Sequence, residues 1–319
     1  MPASQGLLII FSVVTGLLVI ASSIGFVLHV GKPAHITPET LHNLNTRIKA
    51  WWLIVGVLGA AFGLGNKAIV LLFFFVSLQA MREIFSHCDF PASDHHALIW
   101  CFYIALPLQY FLVFYQHNFF LFTFIPIFAF LFLPLLLLKK INNHDFLNRL
   151  TKMQWSIITC IYCTSYIPAL ISLKTSNNTS AENYLLIAFL IFTVQSCDVF
   201  QYIFGKLFGK HKIASKISPS KTWEGLAYGI SASTILSSSL YWLTPFNFWH
   251  TFIMALTINI FGFYGGLVFS AVKRDLKIKD WGSMIKGHGG VLDRVDSLIF
   301  SAPVFFWIIY YGDALHLFR

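Results

Sequence analysis

The chain alternates between long apolar runs and short polar stretches, and most of the apolar runs are as long as a membrane-spanning helix. A helix needs roughly 17 to 25 apolar residues to cross the hydrocarbon layer. A run at 51–80 is longer than one span, and its interruption at 63–67 by glycines, an asparagine and a lysine predicts two short helices joined by a tight turn. The other runs lie at 7–29, 97–116, 118–138, 154–172, 183–203, 224–244, 248–269 and 297–313. The pattern predicts an all-α, polytopic integral membrane protein with about ten transmembrane helices.

Composition supports the same class of protein. Hydrophobic residues make up 57% of the 319 residues and charged residues only 11%, whereas a soluble domain carries about a quarter charged residues. The 34 phenylalanines exceed what one soluble core could bury. We expect the first apolar run to remain as the first helix, because it is too long for the core of a signal peptide and no Lys or Arg precedes it.

The basic residues are distributed unevenly between the loops. Of the 22 Lys and Arg residues, 19 lie in loops that follow odd-numbered helices, and the exceptions are Lys67, Lys174 and Arg319. Because cytoplasmic loops are enriched in Lys and Arg, both chain ends are expected outside and a site in these loops cytoplasmic, at the inner membrane if the protein is bacterial. Topology and attraction to anionic lipid headgroups account for most of this charge. No soluble basic module is present that would bind nucleic acid.

Two groups of metal-ligand residue types have ordinary explanations. Cys160 and Cys163 form a C-x-x-C pair inside an apolar helix without a second pair, which favours packed thiols over a metal site. His87-Cys88 and the 94–96 segment (Asp-His-His) share a loop and could hold zinc, but their spacing favours solvated loop residues.

Two polar segments are not explained by topology. In the first, Asp198 follows an apolar run, where an ionised carboxylate is costly and indicates a functional site. Ser218, Lys221 and Thr222 then place hydroxyls and a cation just before the next helix. Hydroxyls, backbone amides and a lysine at a helix start are suited to binding phosphate.

The second segment spans residues 270–296 and holds four of the 13 acidic residues among six cations. Asp293 and Asp296 are three residues apart, so on a helix they share a face, and hard oxygen ligands at this spacing suit Mg²⁺. A glycine-rich strip precedes them, and its amides could cradle phosphate. The strip is Gly287-His288-Gly289-Gly290, and the two remaining carboxylates are Asp275 and Asp280.

These residues describe one site at the membrane surface, with carboxylates for a divalent cation and lysines and arginines for phosphates. They predict phosphoryl or nucleotidyl transfer onto a molecule that lies in the bilayer. We divide the chain into N-terminal transmembrane helices (1–180) and a C-terminal catalytic transmembrane region (181–319) with cytoplasmic loops 204–223 and 270–296.

The same residues resemble a known family pattern. Ser270, Lys273-Arg274 and Lys279-Asp280, continued by His288-Gly289-Gly290-x-x-Asp293-Arg294-x-Asp296, are similar to the pattern of phosphatidate cytidylyltransferases (CDP-diacylglycerol synthases). The run Ser-Pro-x-Lys-Thr-Trp-Glu-Gly at 218–225 resembles that family's other marked region. The resemblance is specific over roughly 195–297 and elsewhere amounts to a similar many-helix layout. Gly266 stands where many bacterial members carry an Asp, so the chain is closer to the eukaryotic-type variant.

The resemblance implies a Mg²⁺-dependent reaction of CTP with phosphatidic acid that gives CDP-diacylglycerol and pyrophosphate, performed by a helical homodimer. It implies Asp293 and Asp296 as metal-linked carboxylates and leaves the number of metals open. Asp198 and Lys273 complete the predicted catalytic set. The predicted substrate-binding residues are Ser218, Lys221, Thr222, Arg274, Asp280, His288, Gly289, Gly290 and Arg294.

Three functions therefore compete. The first is transfer of a cytidylyl group to phosphatidic acid. The second is a related enzyme, either a cytidylyltransferase for another lipid phosphate or a CTP-dependent polyprenol kinase, because the apolar helices do not reveal the acceptor. The third is a catalytically silent relative that carries lipid or binds membrane proteins, and the clustered carboxylates argue against it.

Overall fold

The fold is known from a computed structural model, which describes residues 3–31, 38–138, 145–173, 183–282, 284 and 289–315. Ten helices follow one another along these residues. They are α1 (Ala3–Gly31), α2 (Pro38–Leu64), α3 (Asn66–Ser86), α4 (Ala92–Phe114), α5 (Asn118–Leu138), α6 (Phe146–Ser172), α7 (Asn183–Phe208), α8 (Trp223–Ser239), α9 (Phe248–Asp275) and α10 (Leu292–Ala314).

Within the described ranges, all of these helices except α8 are long and apolar enough to cross a membrane, which makes nine such helices. Helix α8 has 17 residues, a rise of about 25 Å, slightly less than the hydrocarbon core. Its first turn packs against the end of α7, where Gly225 lies beside Gly205. Leu243, just beyond its end, packs beside Leu185 at the start of α7. Helix α8 therefore runs antiparallel to α7 along the bundle, and the predicted polytopic all-α architecture is confirmed.

The predicted break in the run at 51–80 is confirmed, but the two helices are not short. Gly65 adopts a φ of 93° between α2 and α3, a conformation that favours glycine. Helix α2 extends back to Pro38 and α3 extends on to Ser86. Polar residues at both outer ends continue the helices beyond the apolar run, so hydrophobicity alone underestimates their length.

Helices α4, α5 and α6 each contain a short π-helical segment. These wider turns insert an extra residue per turn and occur often near functional or tightly packed regions. Pro126 lies within one of them and Pro107 two residues after another, and each proline removes a backbone donor. The segments are Cys101–Ala105, Phe124–Ala129 and Ile158–Cys163.

The predicted loop 204–223 is largely ordered secondary structure. Helix α7 continues to Phe208, and an antiparallel hairpin follows, formed by β1 (Lys212–Ala214) and β2 (Ser218–Thr222). Glu224 fastens this hairpin to α8, because its carboxylate accepts hydrogen bonds from the backbone amides of Lys210 and His211 and lies 2.6 Å from the His211 ring. The hairpin presents β2 to the start of α8.

One large hydrophobic core connects the two predicted parts of the chain. Buried residues of α3 and α6, such as Met81 and Ile157, belong to the same cluster as Phe269 of α9 and Phe305 of α10. The boundary near residue 180 therefore does not separate two cores, and the division into a helical and a catalytic part stays a prediction about chemistry. The expected homodimer stays a prediction.

The end of α3 and the starts of α4, α6 and α10 meet at one end of the bundle, which we call the site end. Glu83, near the end of α3, accepts hydrogen bonds from Val291 and Leu292 at the start of α10. Arg149, near the start of α6, forms a buried ion pair of 3.3 Å with Asp94 of α4. The predicted grouping of the basic loops on one side thus agrees with the packing of the helices.

Candidate active site

The centre of the site is an ion pair between the last turn of α9 and the first turn of α10. Lys273 Nζ lies 2.7 Å from Asp293 Oδ1, and the two side chains are only 12% and 6% exposed. The second oxygen, Asp293 Oδ2, accepts hydrogen bonds of 2.9 Å from the backbone amides of Trp281 and Gly290. Both oxygens of Asp293 therefore already bind protein donors, and the carboxylate fixes the position of the lysine ammonium group.

Glycine allows this close approach of backbone and carboxylate. Gly289 has a φ of 81°, and a Cβ there would lie 2.6 Å from Asp293 Oδ2. A Cβ at Gly290 would collide with the carboxylate of Glu83. His288 lies outside the described residues.

The glycine-rich strip was predicted to cradle phosphate with its amides. In the structure, the amide of Gly290 donates to Asp293, and those of Val291 and Leu292 donate to Glu83. These three amides are hydrogen-bonded to protein carboxylates, and these bonds order the start of α10.

Glu83 was not predicted from the sequence. It is 4% exposed and lies in the apolar helix α3, one of 13 acidic residues in the chain. An ionisable residue inside a membrane helix indicates a functional role, so the signal was present. The apolar run at 51–80 ends before Glu83, however, so the sequence placed this residue in a loop together with Arg82.

Lys221 reaches from the end of β2 across to α9. Its ammonium group lies 4.7 Å from the centre of the Phe263 ring. A Cβ added at Gly266 would lie 3.1 Å from Lys221 Nζ, 3.2 Å from Ser297 Oγ and 3.9 Å from Asp296 Oδ2. The position where the resemblance expects a further carboxylate in many members thus lies inside the site, next to this lysine.

Asp198 and Asp296 form the acidic side of the site. The charged groups around Asp198 are Asp296, Lys221 and Arg294, and Ser297 lies near its carboxylate. Asp296 accepts a 2.7 Å hydrogen bond from the backbone amide of Ser297 and lies near both lysines of the site. Asp198 is exposed, so its carboxylate can reach a ligand.

Arg294 brings a further cation to this side. It is half-buried, and the charged groups that surround it are Asp293, Asp296, Asp198 and Arg47. Together with the two lysines it gives the site three positive charges that face three aspartates. Such an arrangement can hold phosphates and a divalent cation side by side.

The remaining predicted substrate-binding residues lie around this centre. Ser218 is buried at the start of β2, and the buried hydroxyl of Thr222 accepts a hydrogen bond from the Gly225 amide, which caps α8. Arg274 is exposed and donates to the carbonyls of Ile217 and Ile278, so it ties the hairpin to α9. Exposed Asp280 lies beside Gly289. Contact of these four residues with substrate stays a prediction.

The alternative metal sites are not assembled in the structure. His87 Nε2 lies 2.9 Å from the Trp281 carbonyl, and Asp94 pairs with Arg149. Burial raises the pKa of the Cys88 thiol, which disfavours the thiolate that zinc requires. All five cysteines are free. Among the described residues, no group of three or more His, Cys, Asp or Glu side chains is arranged to hold a metal.

Two carboxylates still suit Mg²⁺, which is bound by one or two carboxylates together with substrate phosphates and waters. The sequence paired Asp293 with Asp296 for this purpose. In the structure both Asp198 and Asp293 lie near Asp296, but the oxygens of Asp293 are engaged by Lys273 and two amides. The donor chemistry fits a hard cation at Asp296 and Asp198.

Comparisons with known proteins place the chain in a family. A model of the cytidylyltransferase family matches residues 45–312. The uncharacterized protein YnbB of Escherichia coli (strain K12) is 36% identical over 269 residues, which cover 83% of this chain and 87% of that protein. Proteins named phosphatidate cytidylyltransferase from Staphylococcus haemolyticus (strain JCSC1435) and Staphylococcus aureus (strain COL) are 36% identical over 160 residues. Those matches cover 49% of this chain and 61% of each staphylococcal protein.

Proposed function

Because the chain belongs to the cytidylyltransferase family, we propose that it is a phosphatidate cytidylyltransferase, which joins CTP to phosphatidic acid. In this reaction a phosphate oxygen of the lipid attacks the α-phosphorus of CTP and forms a new P–O bond. The bond from the α-phosphorus to the oxygen that leads to the β-phosphorus breaks, and pyrophosphate leaves with that electron pair. The products are CDP-diacylglycerol and pyrophosphate.

The observation that carries this proposal is the position of Lys221. It comes from the hairpin, yet its ammonium group lies beside Gly266 of α9 and close to Asp296 of α10. Three separate segments thus place cations and carboxylates at the ends of membrane helices. A lipid phosphate stays near the headgroup level of a bilayer, so helix ends are where a protein can bring it together with a nucleotide.

Each residue has a role that its surroundings support. Lys221, Lys273 and Arg294 neutralise the phosphates of CTP and of the lipid, which reduces the repulsion between two anionic substrates. Asp293 holds Lys273 through a 2.7 Å ion pair, so the ammonium group is positioned before substrate binds. The backbone amides that fix Asp293 extend this positioning to the segment that begins α10.

Asp296 and Asp198 would hold Mg²⁺. When bound, the cation would neutralise charge on the phosphates during transfer. Asp293 belongs to the same acidic group but directs its oxygens to Lys273 and the backbone.

The site end of the bundle would face the cytoplasm, where CTP is available. The excess of Lys and Arg in the loops assigned to this end supports a cytoplasmic orientation. An inner-membrane location follows if the protein is bacterial.

The test is incubation of the purified protein with CTP, Mg²⁺ and a panel of lipid phosphates and a polyprenol, with the products resolved by mass. We expect CDP-diacylglycerol from phosphatidic acid, and the same preparation of Asp296→Asn serves as the matched control. A CDP-linked product only from another lipid phosphate would replace the acceptor. A phosphorylated polyprenol or no product from folded protein would refute the proposed reaction.

A further inference from the structure

The end of helix α3 contacts Trp281 and the 290–292 backbone, which lie before and at the start of α10. Glu83 Oε1 accepts a hydrogen bond of 2.9 Å from the Val291 amide, and Oε2 accepts one of 2.9 Å from the Leu292 amide. One turn further along the chain, His87 Nε2 lies 2.9 Å from the carbonyl of Trp281. Residues 281 and 290–292 therefore contact the same short stretch of α3, although about 200 residues separate these contacts along the chain.

Trp281 and Gly290 also bind Asp293. The amides of Trp281 and Gly290 both donate to Asp293 Oδ2, while Asp293 Oδ1 faces Lys273. A chain of contacts thus runs from Glu83 through the backbone of 290–292 to Asp293 and on to the lysine ammonium group. A displacement of the 290–292 backbone would move the carboxylate that orients Lys273.

The surroundings of Glu83 are built around its carboxylate. Gln79 donates a hydrogen bond of 3.2 Å to Oε1. Gly282 and Gly290 flank the carboxylate, and a Cβ at Gly282 would lie 3.2 Å from Oε1, while one at Gly290 would collide with it. An unpaired buried carboxylate is costly, so three donors and two flanking glycines indicate a site that requires the charged group.

We propose that Glu83 is a positioning residue for cytidylyl transfer, which holds the start of α10 and through Asp293 places the Lys273 ammonium group. This inference rests on the proposed function for its catalytic part. It adds a residue of helix α3 to a site whose predicted residues all lie between 198 and 296. A displacement on the order of 1 Å in a catalytic group can lower a rate about a hundredfold.

The first experiment measures hydrogen exchange of the 289–293 backbone in wild type, Glu83→Gln and Asp89→Asn. Glutamine keeps the shape but offers one acceptor oxygen instead of two, so the amides of Val291 and Leu292 should exchange at least tenfold faster. Asp89 is an exposed carboxylate just beyond α3, and its amide variant should exchange like wild type. Unchanged exchange in Glu83→Gln would overturn the proposal.

The second experiment measures turnover per folded protein for Glu83→Gln, Lys273→Ala and the double variant. We expect Glu83→Gln to lower kcat on the order of ten- to a hundredfold, and the double variant to be no slower than Lys273→Ala alone, because both changes remove the same positioned group. A purely structural role for Glu83 would instead multiply the two losses. Multiplied losses, or near-normal turnover in Glu83→Gln, would overturn the positioning role.

Two further outcomes remain decisive. If wild type makes no lipid product, the proposed function fails, and the exchange measurement alone decides whether Glu83 holds α10. If Glu83→Gln does not fold, Glu83→Asp carries the same comparison, because it keeps the charge but withdraws the carboxylate by one methylene. Normal exchange and turnover in Glu83→Asp would then contradict the proposal.

Discussion

Replacing Asp293 with asparagine removes the negative charge opposite the Lys273 ammonium group while the side chain keeps its shape. In the structure this carboxylate accepts three hydrogen bonds, one of 2.7 Å from Lys273 and two of 2.9 Å from the amides of Trp281 and Gly290. The two charged side chains are 6% and 12% exposed. Removing one partner of a buried ion pair costs about 3–5 kcal/mol, because the other charge stays buried without compensation. Since Lys273 retains some contact with solvent, we expect about 3 kcal/mol.

The assay is unfolding of purified protein by SDS in mixed micelles, followed by circular dichroism. Asp275→Asn is the matched control, because this carboxylate is exposed at the end of α9 and its free energy of unfolding should change by less than about 0.5 kcal/mol. The double variant Lys273→Met/Asp293→Asn removes both charges and should recover at least half of the lost stability. An Asp293→Asn protein as stable as wild type would refute the buried ion pair as described.

Three further predictions follow from the same site and from the topology. Lys221→Ala should lower kcat/KM on the order of tenfold or more, with folding intact, because a charge-assisted contact to phosphate is lost; unchanged kinetics would return this lysine to a topological role. Gly290→Ala should destabilise the protein by about 1–3 kcal/mol, because the new methyl group collides with the Glu83 carboxylate, and a wild-type unfolding curve would contradict the packing. A reporter inserted at Ser215 should read as cytoplasmic and one fused after Arg319 as external; finding both on one side would overturn the even number of helices.

The sequence was sufficient for the membrane architecture and the family. Helix positions follow from apolar runs, because the length of a run decides whether it can span the bilayer. The turn at Gly65 was predictable, since glycine readily adopts the positive φ found there. The family resemblance is confirmed by the match over 45–312, as expected from motifs whose residues are spaced at fixed intervals.

The sequence was insufficient where distant segments meet. The hairpin of β1 and β2 was missed because three- and five-residue strands rich in lysine and serine carry no clear hydrophobic period. The spacing of Asp293 and Asp296 on one helix was correct. It did not reveal that Lys273 and two backbone amides engage both oxygens of Asp293, because i and i+3 side chains share a face without sharing partners.

Glu83 is the clearest example of a contact between distant segments that the sequence did not reveal. Its position in an apolar helix could have identified it as a candidate, but its partners are backbone amides some 208 residues later in the chain. A pattern of residue types cannot identify backbone donors, because every residue except proline carries one. Only the packing of α3 against the start of α10 brings this carboxylate to the site.

The central claim is that the α-phosphate of CTP, with its cytidine, is transferred to a lipid phosphate. The most direct measurement incubates the purified protein with phosphatidic acid, Mg²⁺ and CTP that carries the phosphorus label either at the α or at the γ position. Cytidylyl transfer predicts that α-label enters the lipid fraction as CDP-diacylglycerol and that γ-label leaves in an equal amount of pyrophosphate. Label from the γ position in the lipid, or no label from either position with folded protein, would contradict the account.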